Sequence, residues 1–312
     1  MMLRSLLAAM LLIPCVAQAA TTAITGAQVH TVSSAGTIDN ATIVITDGVI
    51  TAVGANVSVP AGATTVDANG KIVTPGLFSA MGQLGLTEVG AVSATVDAIQ
   101  RGEQFSAGFD IADAYNPRST LISVNRIEGI TRAAITPTGS GGPDELGRVS
   151  HIFSGVGAIV QLGDANEPLV RRQAMMVVHL GEGGSLLAGG SRAAALLQLR
   201  AALDDALDYA GHKDEYNSGN RRKYSLSQGD LEALQPVIEG TTPLLAHVDR
   251  ARDIEVLLTL AADYNLRLLV AGGAEAQHHA PLGNLIQASP LHSAAIAVCR
   301  ITMRATSPRQ PA

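Results

Sequence analysis

Residues 47–86 read DGVITAVGANVSVPAGATTVDANGKIVTPGLFSAMGQLGL, and this stretch decides the fold of the chain. Its first two residues, Asp47-Gly48, separate two β-branched runs, residues 41–46 (ATIVIT) and 49–53 (VITAV). An Asp-Gly pair between such runs is a strong hairpin signal, because both turn positions of the favoured tight turn need a positive φ. Pro60, Gly62 and Gly70 punctuate the next twenty residues, and a short apolar strand at Ile72-Val73 leads into Pro75-Gly76-Leu77. Residues 20–73 therefore read as a small β domain built before the main domain begins.

From residue 74 the pattern turns to strands alternating with helices. Residues 130–137 (ITRAAITP), 158–162 and 175–180 read as short buried strands. Ser191 stands where it would cap a helix running to about residue 210, with Leu196, Leu199, Leu203 and Leu207 forming an apolar stripe. Residues 213–223 are polar and read as a loop or exposed helix end. Residues 243–248 (strand), 250–264 (helix, with Ile254, Leu257, Leu258 and Ala261 inward) and 266–271 (strand) form a βαβ unit, which implies a parallel sheet. The Gly-rich residues 139–147 lack the G-x-x-x-x-G-K pattern of a phosphate loop and read as a connector.

The 312 residues are 47% hydrophobic and 15% charged, which suits a globular chain with a sizeable core. That core is aliphatic, since there is no Trp. A net charge of −6 argues against a nucleic-acid partner, which calls for a basic face. Residues 1–19 have the layout of a secretory signal: Arg4, an apolar run at 6–16, then Ala17-Gln18-Ala19 as a cleavage site. The apolar run is too short to span a bilayer, and no later segment is long enough. The expectation is an exported, periplasmic protein with no membrane span in the mature chain. Cleavage removes Cys15 and leaves only Cys299, so neither an internal disulfide nor a cysteine-based zinc site can form.

The order of hairpin, buried strand and Pro75-Gly76-Leu77, together with Ile24-Thr25-Gly26-Ala27, resembles the amidohydrolase superfamily, and within it the imidazolonepropionase-like branch. The resemblance covers most of residues 22–276. It implies an α/β fold, a (β/α)8 TIM-type barrel preceded by a small β-sandwich, and a metal-dependent hydrolase of non-peptide C–N bonds. It also implies zinc held at the C-terminal ends of barrel strands. Two His come from the first strand, one each from the fifth and sixth, and an Asp comes from the eighth. In this sequence Met81 and Gln83 occupy the first-strand positions and Gly272 the sixth. A thioether and a neutral amide do not replace imidazole. His247 matches the fifth-strand position and is the one filled position of the five.

The candidate catalytic residues are thus His247, with Glu275 and His179 near the barrel mouth by their place in the sequence. Each has an ordinary structural alternative: a hydrogen-bonded strand-end His, or a solvated loop carboxylate. His30 reads as packing in the β domain, and the adjacent His278-His279 diverge on either a strand or a helix. Asp110, Asp113, Asp204 and Asp205 read as solvated faces, and no G-x-S-x-G elbow is present. No cofactor is expected on this residue set.

Residues 277–312 do not continue the pattern. Residues 276–312 contain no Asp or Glu, where about four are expected at the density of the rest. A full barrel needs about 250 residues beyond the sandwich, and the seventh and eighth strands are not evident. The expectation is an incomplete barrel over residues 74–276 and an atypical tail, hypothesised to result from a frameshift or truncation after Glu275. Reading the DNA past that codon in the other two frames tests this, and a lack of strand-helix alternation in both sinks it. Uncovered strand edges imply self-association. The functions left open are an amidohydrolase-like hydrolase, an inactive envelope relative that binds a small ligand or partner, and a non-functional fragment.

Overall fold

Asp47 and Gly48 both adopt the left-handed conformation, with φ of 51° and 78°, so strands β2 (Thr37–Thr46) and β3 (Val49–Gly54) close as a tight antiparallel hairpin. This computed structural model describes residues 20–100, 105–139, 151–163 and 167–276. The chain divides into two compact units, 1–76 and 77–312. In the first, β1 (Thr21–His30) is central. It pairs antiparallel with β2 and parallel with β4 (Thr64–Asp67) and β5 (Ile72–Val73). Among the described residues this unit is one five-stranded sheet. Its small core is Ala27, Val29, Ala41, Ile43 and Ala68.

The second unit is a mixed α/β structure around a six-stranded sheet curled into a half-barrel, in the order β11-β10-β9-β8-β7-β6. These strands are β6 (Leu77–Gly82), β7 (Ile130–Ile135), β8 (Phe153–Gln161), β9 (Leu169–His179), β10 (Leu244–Val248) and β11 (Leu268–Gly272). The βαβ reading of the last segment corresponds to β10, a helix at Ala251–Asp263, and β11, with the two strands parallel.

Strand-helix alternation does not hold throughout. β8 runs antiparallel to both β7 and β9. Only seven residues, 162–168, link β8 to β9. A parallel crossover takes about a dozen or more, so the chain turns straight back instead.

The helices are α1 (Thr120–Ile127), α2 (Gly181–Leu187), α3 (Arg192–Gly211), α4 (Lys213–Asn217), α5 (Gln228–Ile238) and α6 (Ala251–Asp263). Ser191 occupies the N-cap position of α3 without a side-chain capping bond. The buried face of α3 is Ala195, Leu199, Ala202, Leu203, Ala206 and Tyr209, while Leu207 is 50% exposed. A four-residue spacing drifts about 40° per step around a helix, so the leucine stripe walks off the buried face and alanines take over the close contacts.

Residue parity along the strands separates two cores. Met176, Val178, Leu244, Ala246 and Val248 join the large core shared with α3, α5 and α6. Met175, Val177, Leu245 and Ala271 form a smaller inner-face cluster, against which Met81 and Leu269 pack. Two carboxylates are buried where the sequence suggests none. Asp205 accepts from the Ser225 backbone N–H and hydroxyl, at 2.7 and 2.6 Å, and pairs with Arg222. Asp230 ties the turn before α5 to residues 106–108 through the backbone N–H groups of Ser106 and Gly108, at 2.9 and 2.7 Å. Asp205 is therefore a structural anchor and not part of a solvated face.

Candidate functional site

Parallel pairing of β9 with β10 sets His247 directly beside His179. His247 shares the parity of Leu245, and His179 that of Val177, so both imidazoles stand on the inner face, at the C-terminal ends of their strands. The rings stack, with centroids 4.5 Å apart and planes 10° from parallel. In α/β sheets, sites are built outside the carboxyl ends of the parallel strands, which is where this pair stands.

His179 is held on three sides. Its backbone N–H donates to the Ile152 carbonyl at 2.8 Å, and its Nε2 accepts from the Gly139 N–H at 3.2 Å. The third contact is the stack. Burial pushes its pKa down to about 4, and the neighbouring His247 adds to the depression. Burial also lowers the pKa of His247, partly opposed by the carboxylate of Asp249. Both rings are thus biased toward the neutral form. Asp249 lies two residues beyond His247, and its Oδ1 accepts from the Ala274 N–H at 3.3 Å.

The other residues singled out in the sequence have separate tasks. Met81, at the end of β6, packs into the inner-face cluster. Gln83 accepts the Thr87 hydroxyl at 2.9 Å through its side-chain oxygen. Glu275 accepts the Ala251 N–H at 3.0 Å, so its carboxylate sits at the N-terminus of α6, where a negative charge is favoured. His30 bonds Thr37 through Nδ1 at 2.8 Å in the first unit. Asp110 caps a short 3-10 turn and, with Asp113, pairs with Arg172.

Gly272 closes β11 with φ +94°, and a Cβ there would lie 2.5 Å from Asp249 Oδ1 and 3.1 Å from the Val248 carbonyl oxygen. Among the described residues, no group of three or more His, Cys, Asp or Glu could hold a metal ion. A recess of about 280 Å³ lies elsewhere, lined by His151, Phe153, Leu197, Ala201 and Leu226 and backed by the helix-side core. The signal peptide, residues 140–147 of the Gly-rich stretch, His278, His279, Cys299 and the tail lie outside the described residues.

Two participants escaped the sequence reading. Asp249 had only a weak signal, its place two residues beyond His247 and just past the end of β10. Gly139 had none, because its N–H reaches His179 across forty residues of chain.

No protein-family model and no curated protein matches the sequence. Among solved structures, the chain is similar to an amidohydrolase from Thermotoga maritima MSB8 at TM-score 0.69 and 21% identity, covering 82% of this chain and 66% of that one. A prolidase solved with N-methylphosphonate-L-proline overlaps at TM-score 0.33 and 15% identity, covering 84% of this chain and 70% of that one. Among the described residues no helix is long and apolar enough to cross a membrane. The chain thus shares its fold with the Thermotoga amidohydrolase, of whose length it spans just under two thirds, and the likeness is one of fold.

Proposed function

We propose that this chain is a diverged amidohydrolase-type protein that has lost metal-dependent hydrolysis and keeps a histidine-lined mouth for a small ligand. In this reading the six-stranded sheet is part of a (β/α)8 barrel, the five-stranded sheet is a portion of its β-sandwich, and the mature protein is exported to the periplasm. β6, β10 and β11 take the places of the first, fifth and sixth barrel strands.

One observation carries the proposal: among the described residues the mouth presents two imidazoles stacked on each other, and no group of three or more His, Cys, Asp or Glu that could hold a metal ion. A catalytic zinc site needs three protein ligands and an open position. Met81 and Gln83 are engaged elsewhere, and Gly272 has no room for a side chain in its present backbone conformation. The described residues do not fit zinc.

The test is elemental analysis of the purified full chain. Zinc well below one equivalent is expected, and one tightly bound zinc per chain refutes the proposal.

A second reading, hydrolysis without a metal, is favoured by Asp249 beside His247, an acid next to a neutral imidazole. His247→Ala separates the two. Loss of turnover on an identified substrate supports hydrolysis, and unchanged turnover removes His247 from the mechanism.

A further inference from the structure

Gly139 is fixed before it meets His179. Thr136 N–H donates to the Gly82 carbonyl at 3.0 Å and Thr138 N–H to the Ala98 carbonyl at 2.9 Å, so the chain leaving β7 is pinned on both sides just ahead of Gly139. The Gly139 N–H then donates to Nε2 of His179 at 3.2 Å. A Cβ at this position would lie 3.2 Å from Leu187 Cδ1 and 3.3 Å from His179 Cδ2, a tight fit that a shift of a few tenths of an ångström in the Leu187 side chain and the ring would relieve.

A ring nitrogen that accepts a hydrogen bond carries a lone pair and no proton. In a neutral imidazole the proton then resides on the other nitrogen. We infer that the backbone N–H of Gly139 is a positioning group that locks His179 in the neutral Nδ1–H tautomer. The other hydrogen-bonding function of the ring is then a donor, which fits a ligand presenting an oxygen acceptor. The stack with His247 restrains the plane of the ring but does not choose between its nitrogens. The Gly139 contact does choose.

This inference deepens the metal-free reading and rests on it. The two fail separately, because zinc content decides that reading and the position of one proton decides this one. The experiment is nitrogen-detected NMR of the imidazoles in the full chain at neutral pH, on protein whose zinc content has been measured. His179 is expected to show a pyridine-type Nε2 and a pyrrole-type Nδ1. An Nε2–H tautomer, averaged tautomers or an imidazolium overturns the inference, even if the protein is free of zinc.

Gly139→Pro removes the N–H, and the pure Nδ1–H signature should be lost. Gly139→Ala keeps the N–H, and the signature should persist. This second variant keeps the test decisive if the proline form does not fold. His247→Asn removes the stack, and the His179 tautomer should stay as it is. A flip in that variant shows that His247 and not Gly139 sets the proton, and overturns the inference.

Discussion

Gly272→Ala tests the geometry that excludes the sixth-strand ligand. The added methyl lies 2.5 Å from Asp249 Oδ1 and 3.1 Å from the Val248 carbonyl oxygen, at a backbone φ of +94°. The substitution carries two costs. Holding a non-glycine residue at such a φ costs about 1–3 kcal/mol. The Asp249 carboxylate can swing away, but it then gives up the bond from the Ala274 N–H, worth about 1 kcal/mol. Together the loss should be about 2–4 kcal/mol in urea unfolding of the full chain. In an Asp249→Ala background the carboxylate part should vanish, leaving the φ strain and the tight approach to the Val248 carbonyl oxygen, about 1–3 kcal/mol. A loss under about 0.5 kcal/mol in the native background, the range of neutral surface changes, refutes the reasoning. It would also reopen position 272 to a histidine.

The remaining tests are independent of one another. His179 titrates near 4 in the fold and near 6.5 when unfolded, so the unfolded chain binds more protons between these values. Stability should therefore be complete above about pH 6.5 and fall on acidification toward pH 4, by about 3 kcal/mol at most; His179→Asn should flatten this part of the unfolding profile. Asp230→Ala strips the acceptor from two backbone N–H groups and the Ser227 hydroxyl, and should cost about 3 kcal/mol by denaturant midpoint; a loss below about 1 kcal/mol contradicts the anchoring role. Leu203→Ala should cost about 2–5 kcal/mol and Leu207→Ala much less, since the first is fully buried and the second half-exposed; equal losses would contradict the orientation of α3. One sharp unfolding transition argues against a non-functional fragment, and a broad one supports it.

Local chemistry was legible in the sequence, and long-range pairing was not. Asp47-Gly48 announces its hairpin because the turn demands two positive φ values from adjacent residues. The β10-α6-β11 unit is visible as apolar runs and helical spacing within thirty residues of chain. β8 reads as one more buried strand, but its direction depends on the short link to β9 and on pairing with β7. Asp205 looks like any acidic residue on a polar helix, and only the return of Ser225 and Arg222 explains its burial. His179 and His247 were each visible as strand-end histidines. Their stacking depends on the register between β9 and β10, which no local pattern carries.

The same register gives the imidazole pair a place in folding. His179 touches Gly139, Ile152 and His247, partners that lie 40, 27 and 68 residues away along the chain. Contacts of that separation pay their loop-closure entropy before they return any gain, so they form late. A slip of one residue between β9 and β10 would also turn one imidazole to the helix side, into a layer of Leu, Val and Ala. The stacked pair can therefore exist only when β9 and β10 have found their correct alignment, and it works as a built-in checksum on that pairing.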